Sequence, residues 1–233
     1  MKFLRVFILI SCCCSGLANA QTFGFSSGIP VWQPLNHIIN RYNDTRPWLT
    51  NQMNEIHFLP GVNIGFGMHE WDSKFSFDLF RLQWLRKTVK AEGQDQSRTM
   101  RVKFSTLSII GFGYYPIAKS KFKLGFNLYP VELSRLKIKG KTSEEPDWKY
   151  YYKSASFFGI PTNASSTLTF DFLYLTSEKL HWQFRLYYLY SWFKDEEILF
   201  VNKELNPNTY QYTNQSQTLD CSHFGISISL GVH

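Results

Sequence analysis

Disulfide chemistry is almost closed to this chain. Three of its four cysteines, Cys12, Cys13 and Cys14, sit in a leader-like opening segment, which leaves Cys221 alone in the remainder. One cysteine cannot form an internal bridge, so a disulfide-stapled secreted scaffold is excluded. Cys221, with only His223 as a near histidine, reads as a small residue at a strand start. Long apolar runs are also missing beyond the leader: no later stretch reaches the roughly 18 residues of a spanning helix. Charge is sparse, at 18% of residues, against roughly 25% in soluble domains. Histidine spacing suited to zinc is absent, since His37, His57, His69, His181, His223 and His233 form no HExxH or H-x-x-x-H pattern. No G-x-S-x-G occurs either. Neither a metal, a cofactor nor an enzymatic activity is expected.

What the chain has in excess is aromatic side chains, at 18% of 233 residues, with a mean hydropathy still negative at −0.24. That pairing suits a β-barrel in lipid, where only every second residue is apolar.

Residues 1–20 read as a signal peptide. Lys2 and Arg5 supply positive charge, Val6 to Leu17 an apolar core, and Ala18-Asn19-Ala20 an A-x-A cleavage site before Gln21. The alternative is a lipoprotein signal, since Leu9-Ile10-Ser11-Cys12 resembles a lipobox; its apolar run would be very short and would leave the A-x-A site unused. Residues 21–233 then form one domain.

Period-two alternation runs through that domain. In "HFGISISLGVH", Phe224, Ile226, Ile228, Leu230 and Val232 alternate with Gly225, Ser227, Ser229 and Gly231. In "LHWQFRLYYLYSW", Trp182, Phe184, Leu186, Tyr188 and Tyr190 oppose His181, Gln183, Arg185 and Tyr187. Phe170 and Phe172 oppose Thr169 and Asp171; Phe126 and Leu128 oppose Gly125 and Asn127; Ile56, Phe58, Val62, Ile64 and Phe66 oppose Asn63 and Gly65. Residues 99–116 keep Val102, Phe104, Ile110, Phe112 and Tyr114 in phase. Residues 73–90 switch phase near Phe80, which predicts a β-bulge there. Phe23 and Phe25 mark a first strand. Eight strands result, with short links near 70–74, 117–121 and 175–179 and long ones near 28–54, 90–98, 139–162 and 193–220. Short turns on one side and long loops on the other describe a transmembrane barrel with both termini on the short-turn, periplasmic side. The bulky face should point outward, because an eight-stranded interior is narrow and is filled by side chains. Trp71, Tyr114, Tyr174 and Trp182 near the short turns, and Phe58, Trp84, Tyr190 and Trp192 near the long loops, are expected as interfacial girdles.

With its leader, its "TFGFSSG" opening, its eight alternating strands and its terminal "FGISISLGV", the chain resembles the small outer-membrane β-barrel (OmpA/OmpX-type, porin-like) proteins of Gram-negative bacteria. The likeness covers essentially the whole mature chain and is one of pattern. It departs from the family in ending on His233 rather than on an aromatic residue. The resemblance implies an eight-stranded antiparallel up-and-down barrel in the outer membrane and brings no catalytic motif.

Three places carry candidate function. Asp171 and Arg185 flank one short turn on the inward face and are expected to pair inside the lumen. Leu35, Ile38, Ile39 and Tyr42, at i, i+3, i+4 and i+7 between Pro34 and Pro47, predict a short amphipathic helix in the first outer loop. Arg86, Lys87, Arg101, Lys103, Lys137, Lys139 and Lys141 form a basic outer rim, suited to contact with anionic lipid including lipopolysaccharide. The net charge of +7 falls to +5 once Lys2 and Arg5 leave, too modest and spread for nucleic acid. The expected role is a structural or interaction scaffold whose outer loops meet lipid, ligand or a protein partner. A small passive channel is the alternative, followed by a lipid-modifying enzyme and a soluble ligand-binding barrel.

Overall fold

The computed structural model describes residues 20–94, 96–119, 121–154, 156–157, 160–161, 163–177, 179–192, 196–208 and 218–232. The leader reading, with either cleavage after Ala20 or lipidation of Cys12, lies outside the described residues apart from Ala20 itself. The chain runs β1 (Ala20–Pro30), α1 (Gln33–Asp44), β2 (Leu49–Asn51), β3 (Leu59–Met68), β4 (Phe75–Gly93), β5 (Ser97–Ser108), β6 (Gly111–Lys119), β7 (Phe122–Thr142), β8 (Lys149–Lys153), β9 (Ser156–Phe157), β10 (Ile160–Pro161), β11 (Asn163–Leu175), β12 (Leu180–Ser191), β13 (Glu196–Glu197), α2 (Leu199–Leu205), β14 (Thr218–Leu219) and β15 (His223–Val232). No described helix is long and apolar enough to cross a membrane.

The strands close on themselves. β1 pairs with β3 and with β15, and the path continues through β4, β5 with β6, β7, β11 and β12 back to β15. β5 and β6 are two segments of one stave, so the barrel is eight-stranded and antiparallel. The seam is long: β1 and β15 stay in register from Gln21 opposite Val232 to Pro30 opposite His223. Closure leaves these staves with no free edge, which is what lipid demands of a spanning sheet.

Alternation explains the orientation. Along β15 and β12 every second residue is buried and every other is exposed. The exposed ones are the bulky ones, as with Phe25 at 72%, Phe224 at 63% and Leu186 at 58%. The interior takes Asn63, Gln83, Asn127, Thr169, Gln183, Ser227 and Ser229, all buried. A water-soluble protein would not leave such a belt of Phe, Ile and Leu uncovered.

Several staves are longer than a bilayer crossing requires. β4 has 19 residues and β7 has 21, against the roughly 9–11 that a tilted strand needs. The link expected at 90–98 is therefore not a long loop: β4 continues to Gly93 and β5 resumes at Ser97. The stretch 139–162 likewise contains β8, which folds back on β7. The bulge expected near Phe80 lies where Phe66 faces Phe80 while Gly67 faces Asp78.

Two expectations about faces are corrected. Val102 and Phe104 are fully buried, whereas Phe112 and Tyr114 are exposed. The chain breaks its phase at Ile109 and Ile110, between β5 and β6, so one apparently continuous pattern serves two opposite faces. Ile56, expected on the lipid side of a strand, is also fully buried, because β3 begins only at Leu59.

Candidate functional site

The lumen is filled in two tiers. The tier toward the short turns is polar. Asp171 and Arg185 lie directly opposite each other, and the guanidinium grips the carboxylate, Nε to Oδ1 at 2.8 Å and Nη2 to Oδ2 at 2.6 Å. Asp171 also accepts from Asn127 at 2.7 Å, Gln183 at 2.8 Å and Thr169 at 2.8 Å. Both side chains are sealed from solvent. A buried carboxylate is tolerable here because its lone pairs are taken by donors.

Further groups extend the same network. Asp78 joins His69 at 2.8 Å and the Tyr129 hydroxyl. Glu132 accepts from Ser108 and Thr167. Arg81 lies between the rings of Tyr129 and Tyr187, 5.2 Å and 5.8 Å from their centres. Gln83 donates to the Tyr187 hydroxyl, which donates in turn to the Ser27 carbonyl, both at 2.8 Å. At the short-turn mouth Lys123 Nζ donates to the carbonyls of Glu70 and Ser73 at 2.9 Å and 2.7 Å. Trp71 lies within cation–π range of that ammonium and beside the ring of His181. It folds across the mouth and does not stand in the expected girdle.

The tier toward the long loops is apolar. Leu59, Leu85, Val89, Met100, Val102, Phe104, Leu136, Ile138 and Leu189 belong to one buried cluster with α1 and α2. Helix α1 covers it with Leu35, Ile38, Ile39 and Tyr42, all buried. Its apolar stripe therefore packs on protein and not on lipid. Two asparagines on the helix, Asn36 and Asn43, bind the returning chain as a strand would. Asn36 Oδ1 accepts from Ile56 N–H at 2.8 Å, and Asn43 Oδ1 from Met53 N–H at 3.0 Å. Helix α2 docks beside α1, where Asn206 donates to the Ile38 carbonyl at 3.3 Å and Arg46 to the Leu205 carbonyl at 3.0 Å. Trp32 Nε1 donates to the Asp220 carbonyl at 3.1 Å, tying the end of β1 to the approach of β15. The result is a folded cap that closes the mouth opposite the short turns.

The rim residues divide. Arg86 faces Lys103, Lys103 faces Lys137, and Lys137 faces Lys153. One row further from the short turns, Arg101 faces Lys139 and Lys139 faces Tyr150. Lys141 faces Thr99 in the row above. Lys87 does not join them: it lies in phase with buried Leu85 and Val89, opposite Val102. Two aromatic residues that sequence reasoning passed over complete this face. Arg101 lies 3.8 Å from the centre of the Trp148 ring, and Lys139 lies 3.9 Å from that of Tyr150. A hydrogen bond from Lys139, aided by the charges of Lys139, Lys137 and Lys153, lowers the Tyr150 phenol from its ordinary value. Their signal in the sequence was the spacing of "DWKYYYK" opposite "KIKGK". Among the described residues no cluster of His, Cys, Asp or Glu is arranged to hold a metal.

No protein-family model and no curated protein matches the chain. Solved structures do. The attachment invasion locus protein Ail of Yersinia pestis, crystallised with the heparin analogue sucrose octasulfate, is 8% identical, covering 91% of this chain and 95% of its own, with a TM-score of 0.50. Neisserial surface protein A is 8% identical over 92% of this chain and 97% of its own, with a TM-score of 0.40. The outer membrane protein OprG of Pseudomonas aeruginosa is 11% identical over 92% and 95%, with a TM-score of 0.41. The likeness to Ail is one of fold: the chain has the fold of the eight-stranded outer-membrane barrels.

Proposed function

We propose that this chain is a non-conducting, non-enzymatic scaffold of the outer membrane, with both mature termini periplasmic and a folded cap displayed on the cell surface. The observation that carries the reading is the two-tier filling. An ion crossing the barrel would have to part the network around Asp171 and Arg185 and then pass a dry layer of Leu59, Leu85 and Phe104. Narrow eight-stranded barrels fill their interiors in this way. The exposed apolar belt, which needs lipid as its solvent, supports that location. The exposed surfaces of the cap and its basic flank are then the parts available to lipid, including anionic lipopolysaccharide, or to a protein partner. Ail, of similar fold, is described with a polysulfated ligand; the support for an anionic partner here comes from the cations of this chain.

The test is electrical. The mature protein, refolded and inserted into planar bilayers, should give no steady conductance. Large, reproducible single-channel steps would replace the scaffold by the passive channel.

A further inference from the structure

Going up the outer face of β4, β5 and β7, side-chain chemistry changes abruptly. Trp84, Leu107 and Leu133 lie on that face below the cationic rows. Two residues above Trp84 comes Arg86, and two above Leu133 comes Arg135. Above that line four facing pairs are cation on cation, namely Arg86 and Lys103, Lys103 and Lys137, Lys137 and Lys153, and Arg101 and Lys139, while Arg135 faces Ser105 and Thr88 faces Arg101. Like charges directly opposite one another weaken a sheet. A face that only needed to be wetted would intersperse both signs. Acids lie beyond the rows, at the hairpin tips: Glu92 holds Lys90, Glu144 accepts from Gln96 at 3.1 Å, and Glu145 and Asp147 stand in the turn that leads to β8. The rows themselves carry no acid.

We infer that the outward face of β4, β5, β7 and β8 is a binding site for the phosphate groups of a saccharide lipid anchored in the surrounding outer leaflet. This rests on the outer-membrane reading above and deepens it by naming the partner's chemistry. The cations begin where the lipid-facing belt ends, so a lipid whose chains lie along Trp84, Leu107 and Leu133 brings its head group to Arg86, Lys103 and Lys137. Successive rows lie about 7 Å apart along the strands, which suits phosphates carried at more than one height above the membrane. Trp148 and Tyr150 hold Arg101 and Lys139 against their rings, fixing two long side chains before any ligand arrives and offering flat faces to sugar rings. A soluble polyanion would share the charge but gain nothing from the apolar belt below.

The mature full-length protein, refolded in detergent, is presented with diphosphoryl lipid A, with the same lipid after removal of its phosphates, and with soluble sucrose octasulfate; retained ligand is counted by native mass spectrometry. The parent should retain diphosphoryl lipid A and release it as salt is raised. In Lys103→Gln/Lys137→Gln, retention should weaken about thirtyfold, at roughly 1 kcal/mol per basic side chain near a charged surface and 1.4 kcal/mol per factor of ten. The phosphate-free lipid should show no such difference between parent and variant. The same variant, freed of a facing pair of like charges, should melt no lower than the parent in lipid-free detergent, which certifies its fold. Arg101→Gln, in the row above, repeats the test in a second variant. Equal retention of the two lipids, undiminished retention by both variants, or retention of the octasulfate alone would overturn the inference. A protein that conducts ions yet retains lipid A in this phosphate-dependent way would overturn the scaffold reading and leave the site standing.

Discussion

Asp171 on β11 and Arg185 on β12 are direct cross-strand partners whose side chains meet head-on inside the barrel, 2.6 Å apart at their shortest contact. Around them three neutral donors turn toward the same carboxylate.

Removing the carboxylate therefore strands more than one group. Asp171→Ala should destabilise the barrel by about 3–5 kcal/mol, the usual cost of leaving a buried partner charge uncompensated. Urea unfolding of the refolded protein in vesicles, followed by tryptophan fluorescence, measures this. A double change to apolar residues at both positions should recover part of the loss; a neutral single variant would mean that the pair does not hold the lumen.

Gly225 offers a second site on the seam. A Cβ there would come within about 2.2 Å of the Ser27 carbonyl and 2.1 Å of the Tyr187 ring. The backbone cannot give as a flexible side chain can. Gly225→Val should slow or prevent closure of β15 on β1, read as loss of the fast-migrating unheated band on a gel. Ser229→Ala, on the same strand, should leave that band in place.

The cap should be separable from the barrel by mutation. Ile39 is fully buried, and truncating a buried Ile costs about 2–5 kcal/mol. Ile39→Asp, which adds an unpaired charge, should open the cap to trypsin at Arg41 while the heat-dependent gel shift of the barrel persists. If barrel and cap are lost together, they form one cooperative unit.

Orientation gives the fourth prediction. An epitope inserted next to Pro207 or at Gln96 should be reached by antibody on intact cells, and one at Ser177 should not. Labelling at Ser177 on intact cells would invert the topology, and the surface-displayed cap would fall with it.

What the sequence disclosed depended on whether a residue's neighbours share its face. The bulky residues from Phe224 to Val232 and from Trp182 to Tyr190 face outward along their whole strands, so simple alternation was enough. Leu35, Ile38, Ile39 and Tyr42 announced α1 by the same logic at helical period. Val102 and Phe104 misled because alternation tells that two faces differ and not which one is inside; the phase break at Ile109 and Ile110 reverses the answer. Residues 90–98 looked like loop because Lys90, Glu92 and Arg98 are charged, yet a strand that continues beyond the apolar belt can be polar on its outward face. Asp171 and Arg185 were legible as a pair. Their further partners, and the facing of Lys103 on Lys137, depend on register between distant strands, which local pattern does not encode. Helix α2, at seven residues, was too short to show a period.

The bond from Trp32 to the Asp220 carbonyl joins positions 188 apart in sequence, one just after the first stave and one just before the last. It acts as a clasp on the zip-line of the cylinder. The cap's core draws on the first long loop, the middle hairpins and the approach to the final stave at Leu219 and Cys221, so it can be completed only when first and last staves have met. Protease resistance of the cap is thus a clock for assembly: it should appear together with closure of the cylinder, and never ahead of it.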